Sequence, residues 1–261
     1  MPATLVGLLV ALFAVFLGAF THHVSPVFLI SNVTALLIVF GGALGATMAS
    51  FEMSATKGVF SAIKRTIFPK PFPDGTSTLS TLVEFSRKAR HEGLLSLESE
   101  VGGLDDMFMR RGLQLAIDGN DPDAVAQVMR TDIRAMKARH KVPADWCQAF
   151  GIFAPTFGII GAVIGLIATL GELDEPEKLG AGIAAAFVAT FLGVFLANGV
   201  MLPLANRMKR LSAQEVQGRE MVLEGVIAIQ GGQNPRVIEE TLMSYLSPAD
   251  AAEIRSSSSD G

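Results

Sequence analysis

The chain has 261 residues, half of them hydrophobic, and a formal net charge of −4 at pH 7. That balance excludes a basic nucleic-acid footprint, and the gathering of apolar residues into long uncharged blocks excludes an ordinary soluble globule. The single cysteine, Cys147, excludes an intrachain disulfide and offers no metal cluster.

Thr4 to Phe20 is the first uncharged block. It lies near the lower limit for a spanning helix, because about 20 residues at roughly 1.5 Å each cross a hydrocarbon core of roughly 30 Å. It lacks the basic start of a signal peptide, and a second span follows almost at once. Thr21 to Pro26 form a very short outer turn. His22 and His23 within it are read as exposed turn residues: adjacent side chains diverge, and no third metal ligand is near. Val27 to Phe51 is the second span. Its Gly41, Gly45 and Ala49, four apart, let helix backbones approach closely in lipid.

After Glu52 the pattern turns amphipathic, with Val59, Phe60 and Ile63 against Lys57, Lys64 and Arg65. This predicts a helix at the inner membrane surface. The run Pro69-Lys70-Pro71-Phe72-Pro73-Asp74-Gly75 breaks the chain. Residues 76 to about 142 read as helices: one through Leu79, Leu82, Val83 and Phe85, and one from Leu94 through Phe108. A third is capped by Asp121, with Pro122 at its first position and Val125, Val128, Met129, Ile133 and Met136 on its buried face. Pro143 is expected to bend the chain toward the third span, with Trp146 as an interfacial anchor.

The third and fourth apolar runs, about Cys147 to Leu170 and about Leu179 to Asn206, flank the acidic turn 171–180. Neither contains an Asp, Glu, Lys, Arg or His. Lys and Arg concentrate in 51–146 and after Asn206, whereas the connections 21–26 and 171–178 hold only Lys178. By the positive-inside rule both termini and the long middle segment are cytoplasmic. The expectation is an all-α integral membrane protein with four transmembrane helices and a helical cytoplasmic part. Residues 1–51 form spans one and two, 52–146 a cytoplasmic helical region, and 147–206 spans three and four. Residues 207–261 form cytoplasmic C-terminal helices, including one from Arg236 to Leu246, and a disordered tail from Ser256.

Helix four carries Ala181, Ala185, Ala189, Gly193 and Ala197 as a small-residue ridge. Thr190 places one hydroxyl beside it; the plain alternative is that this hydroxyl bonds the carbonyl one turn back. Pro155 and Pro203 each free a backbone carbonyl one turn earlier. An ion path through a bilayer normally needs an ionisable group, and these spans contain none. If the chain conducts ions, a partner must bring the carboxylate. No Walker motif or Ser–His–Asp constellation points to an enzyme, and none implies a cofactor.

Four stretches stand out: Ala154-Pro155-Thr156-Phe157-Gly158-Ile159-Ile160-Gly161, Ala189-Thr190-Phe191-Leu192-Gly193, Pro203-Leu204-Ala205 and the cytoplasmic Ala89 to Glu98. Together they resemble the MotA/PomA flagellar stator subunits of the MotA/TolQ/ExbB proton channel superfamily. The resemblance covers nearly the whole chain. It implies a bacterial inner-membrane ring of five copies around two copies of a MotB-like partner, whose single-span helix carries the missing Asp. Ion flow then turns the ring against the rotor protein FliG. It implies that Pro155 and Pro203 couple ion binding to cytoplasmic movement, that Thr190 lies near the partner's Asp, and that Arg90 and Glu98 engage the rotor. Lys88, Glu100 and Arg236 are lesser rotor candidates. Sodium-type relatives carry a Thr at the position of Ala162, so Ala162 favours protons, although Thr156 offers an oxygen nearby. Two rivals are an ExbB/TolQ-like subunit, whose branch has three spans, and a structural membrane scaffold that the small-residue ridges would fit equally well.

Overall fold

Where no water is at hand, each backbone polar group must be satisfied within its own segment, so uncharged apolar runs hold helix. The computed structural model describes residues 3–69, 73–171 and 176–259. All regular structure among them is helical. The helices that are long and apolar enough to cross a membrane contain Thr4–Thr21, Val33–Ser50, the end of Pro122–Leu170 and the start of Leu179–Gln230. Packing divides the chain into two compact units, residues 1–70 with 139–211 and residues 71–138 with 212–261.

In the first unit α1 (Ala3–Thr21) is followed by a short α2 (Pro26–Ser31). The second apolar run is not one helix as expected. Asn32 interrupts it, and its Oδ1 accepts the backbone N–H of Ala35 at 3.0 Å, starting α3 (Val33–Ser50) afresh. A widened π-turn, Leu37–Gly41, lies inside α3. Then comes α4 (Met53–Ile67), which buries Thr56, Val59 and Thr66. Of the expected apolar face, Val59 is buried and Phe60 is 70% exposed.

The helix α8 (Pro122–Leu170) is a single run of 49 residues with Pro143 and Pro155 inside it. Pro143 therefore does not end the helix; a proline loses one hydrogen bond, and the turns on either side keep theirs. Trp146 is not an interfacial anchor. It is 3% exposed, its Nε1–H donates to Thr56 Oγ1 at 3.2 Å, and its ring stacks on Phe150 at 5.8 Å. It pins α4 to α8. The helix α9 (Pro176–Phe195) passes through a second π-turn, Leu196–Met201, into α10 (Leu202–Gln230). Pro203 stands two residues past the end of that turn. Its ring would crowd the carbonyl of Gly199 in a regular helix, and a widened turn gives the room. Phe150, Ala154, Ala197, Ala205 and Met208 close the core of this unit.

In the second unit Asp74 caps α5 (Gly75–Glu92). The stretch from Leu94 to Phe108 is not one helix. A 3₁₀ turn, Leu94–Leu97, leads to a single helical turn, α6 (Glu98–Val101). Asp106 then caps α7 (Met107–Ile117), its Oδ1 accepting from Phe108 N at 2.8 Å. Gly102 and Gly103 are poor helix formers and Asp106 a good cap, so the break is local in origin. The first part of α8, the end of α10, and α11 (Pro235–Met243) complete the unit. Leu82, Leu113, Val125, Met129, Val226, Ile238 and Leu242 form its core. The expected disordered tail is helical as far as Ser259, in α12 (Pro248–Ser259). Three expected features fall outside the described residues: Lys70 to Phe72 of the proline-rich break, Glu172 to Glu175 of the acidic turn, and the last two residues of the tail.

Candidate functional site

The turns carrying Pro155 and Thr190 meet backbone to backbone. A Cβ added at Gly158 would lie 2.9 Å from the Ala189 carbonyl oxygen and 3.2 Å from Thr190 Cα. One added at Gly193 would lie 2.5 Å from the Ala154 oxygen and 3.1 Å from Gly158 Cα. Only glycine fits at either position. Gly161 and Gly165 continue the stripe of α8, facing Ala189 and Ala186 at 3.0 and 3.4 Å by the same measure. The contacting face of α9 is thus Gly182, Ala186, Ala189, Gly193 and Ala197. The expected ridge agrees from Ala189 onward, but Ala181 is exposed and Ala185 half-buried. A strict four-residue spacing drifts by about 40° per step around a helix, so its far end leaves the contact.

Thr190 is half-buried at the edge of this contact. Its hydroxyl makes no hydrogen bond among the described residues. Other threonines on these helices do bond the carbonyl one turn back: Thr47 to Ala43 at 2.7 Å, Thr66 to Ala62 at 2.8 Å and Thr169 to Gly165 at 2.7 Å. Pro155 is half-buried beside Ala154, which is wholly buried. Ala162, also half-buried, lies seven residues on and shares the face of Pro155. Thr156 is on the far side of α8, exposed, with a long 3.4 Å bond to the Ile152 carbonyl. The missing N–H of Pro155 leaves the Gly151 carbonyl without its helical donor. A Cβ on Gly151 would lie 2.9 Å from the Leu202 side chain, so that turn packs against the residue preceding Pro203. Pro203 itself is exposed. Thr190 and the turn before Pro203 therefore meet the α8 face of Gly151, Ala154 and Gly158; Pro155 and Ala162 lie half-buried beside that face, Pro203 is exposed, and Thr156 is on the opposite side.

In the second unit Arg90 closes α5 and Glu98 opens α6. Gly93, at φ 85°, reverses the chain between them. Both are exposed, and neither has an ion-pair partner among the described residues. Lys88 and Glu100 pair with each other. The Glu100 carboxylate holds the Lys88 ammonium above its ordinary range. Leu97 is buried beneath this turn, whereas Leu95 is 72% exposed above it. Arg236 is exposed in the first turn of α11, which packs on α5. Sequence reasoning did not single out Asn198. This amide sits in the second π-turn, exposed, with Nδ2–H donating to the Val194 carbonyl at 3.2 Å. An Asn inside an uncharged span is the signal that would have found it.

The geometry has counterparts in known proteins. Residues 101–221 match the MotA/TolQ/ExbB proton channel family, and residues 5–93 match the Motility protein A N-terminal region. Motility protein A of Bacillus subtilis is 38% identical over 252 residues, covering 95% of this chain and 91% of that one. Chemotaxis protein PomA of Vibrio alginolyticus is 35% identical over 222 residues, covering 85% and 86%. The solved flagellar MotAB stator complex from Bacillus subtilis superposes with a TM-score of 0.90 at 36% identity, over 96% of this chain and 98% of that one. A membrane protein with these helices and these relatives belongs to the Motility protein A branch of the MotA/TolQ/ExbB proton channel family.

Proposed function

We propose that this chain works as a flagellar motor stator subunit, coupling ion flow across the membrane to torque on a rotor. Its relatives are motor channel subunits and not enzymes. One observation carries the mechanism. The α8 and α9 backbones touch at Gly158 and Gly193, and the Thr190 hydroxyl beside them has no hydrogen bond among the described residues. The spans contain no carboxylate of their own. A MotB-like partner helix bearing an Asp supplies it, with Thr190 as a neutral oxygen beside it. Charging and neutralising a carboxylate in a low-dielectric groove changes which groove it prefers. Pro155 and Pro203, on turns that pack together, pass that change to the cytoplasmic helices. Arg90 and Glu98 meet complementary charges on FliG. The assembly is a ring of five copies in the bacterial inner membrane, in contact with lipid, with both termini cytoplasmic.

Ala162 makes protons the favoured ion. A sodium ion must exchange its water shell for oxygen ligands, and the face shared by Pro155 and Ala162 offers no side-chain oxygen from either. An ExbB/TolQ-like role is disfavoured by the match of residues 5–93 to the Motility protein A N-terminal region. The test is swimming of cells that carry this chain and its partner, across a sodium series and with a protonophore. Motility that ignores sodium and stops with the protonophore is the expected outcome. Motility that tracks sodium overturns the proton assignment, and none at all with the complex present overturns the stator role.

A further inference from the structure

The helix α4 has three faces of different character. At about 100° per residue, Thr56, Val59 and Thr66 fall on one side, and all three are buried. Thr56 Oγ1 accepts the Trp146 Nε1–H there, at 3.2 Å. Ser54, Gly58, Ser61 and Arg65 fall on a second side, exposed and polar. Met53, Lys57, Phe60 and Lys64 fall on the third, at positions i, i+4, i+7 and i+11, and Phe68 prolongs it past the helix end. Met53 is 55% exposed, Phe60 70% and Phe68 60%. Lys57 and Lys64 are exposed between them, with no ion-pair partner among the described residues.

Apolar and basic side chains thus alternate along one outward face. The helix begins three residues after α3, the second candidate span, ends. A soluble acidic partner would gain from the lysines but has no need of large apolar residues interleaved with them. A lipid surface uses both. Long lysine stems lie along apolar surface and lift the ammonium to phosphate level, while the aromatic rings enter the acyl boundary. We propose that α4 is a clamp for anionic lipid: Lys57 and Lys64 hold phosphate-bearing headgroups of the adjoining leaflet, and Met53, Phe60 and Phe68 insert beside them. Arg65, on the water-facing side, takes no part. The Trp146–Thr56 bond sets this orientation by fixing which face turns inward.

The proposal rests on the membrane-embedded reading of this unit and not on ion conduction, so torque is not its readout. The chain is purified with its partner subunit in neutral detergent. It is then equilibrated with equal phosphatidylglycerol and phosphatidylcholine, and retained lipid is measured by mass spectrometry. The wild-type complex is expected to keep phosphatidylglycerol selectively. Lys57→Gln with Lys64→Gln lowers that retention about tenfold, Lys57→Arg with Lys64→Arg preserves it, and Arg65→Gln leaves it unchanged. Equal retention of both lipids by the wild type overturns the proposal. So does an Arg65→Gln loss as large as that of the lysine pair, because diffuse charge would then account for it. A complex that leaves carbonate-washed membranes overturns the membrane reading and this proposal together. One that stays embedded without preferring the anionic lipid overturns this proposal alone.

Discussion

Single residues separate into those that the chain satisfies internally and those that it leaves for others. Lys88 and Glu100 stand a few residues from Arg90 and Glu98 and have the same chemistry, yet only the first two are paired. The sequence could not make that distinction, because both pairs are charged residues on solvated turns. The backbone reversal at Gly93 makes it, by laying α6 back beside α5. Reversing both Arg90 and Glu98 is therefore expected to lower recruitment to the rotor several-fold and leave membrane insertion unchanged; counting fluorescent stators at motors would show it. Exchanging the paired charges, as Lys88→Glu with Glu100→Lys, keeps a pair and should leave the melting temperature essentially unchanged, since exposed bridges contribute little. The Lys88 ammonium is held up by Glu100, so the pair is intact below the ordinary lysine value of 10.5 and weakens only as pH rises through the raised one. Unchanged recruitment after the reversal would remove Arg90 and Glu98 from the interface.

At the scale of elements, the spans were legible and their interruptions were not. A bilayer leaves a helix few alternatives, so an uncharged run of sufficient length declares itself. Asn32 and the two π-turns interrupt those runs through hydrogen bonding and crowding that hydropathy does not register. Amphipathicity has a related blind spot in α4. In water an apolar side chain implies a protein neighbour, but beside a membrane lipid serves equally well. Val59 and Phe60, both apolar and adjacent in the chain, accordingly part: the first is buried and the second exposed. The two prolines are placed where a helix-former would be more stable: a proline in a helix interior costs about 3 kcal/mol relative to Ala. Replacing Pro155 or Pro203 with Leu returns an N–H to the Gly151 or Gly199 carbonyl. That should raise or preserve thermal stability and leave the partner bound. Rotation of tethered cells should nonetheless fall about tenfold or more, because a stiffened turn misplaces the moving parts. Normal rotation in both variants would exclude the prolines from the coupling.

For the whole molecule, the most informative feature is what its membrane helices lack. They make a close-packed contact from Gly158, Gly161, Gly165, Ala186, Ala189 and Gly193, and such a contact needs no charge. On the proposed stator reading, packing and conduction fall to different chains, the first to this one and the second to the carboxylate of a partner. The sequence bears on that reading only through the uncharged spans. It could not disclose that the Thr190 hydroxyl makes no hydrogen bond among the described residues, because threonine in a membrane helix more often bonds its own backbone. Vesicles containing this chain alone should hold a proton gradient as well as empty vesicles do, because no group in the spans can relay a proton. Vesicles containing the chain with an active Asp-bearing partner should dissipate it, and an Asp→Asn change in the partner should restore the seal. With the active partner, Thr190→Val should slow the leak, while the partner still co-purifies because the Gly158–Gly193 contact is untouched. Removing a single neutral hydroxyl beside a charge is worth roughly 1 kcal/mol or more, which corresponds to a rate lower by about fivefold or more. A leak from the chain alone would mean that the spans conduct without a carboxylate. An undiminished leak in Thr190→Val would reduce that residue to packing.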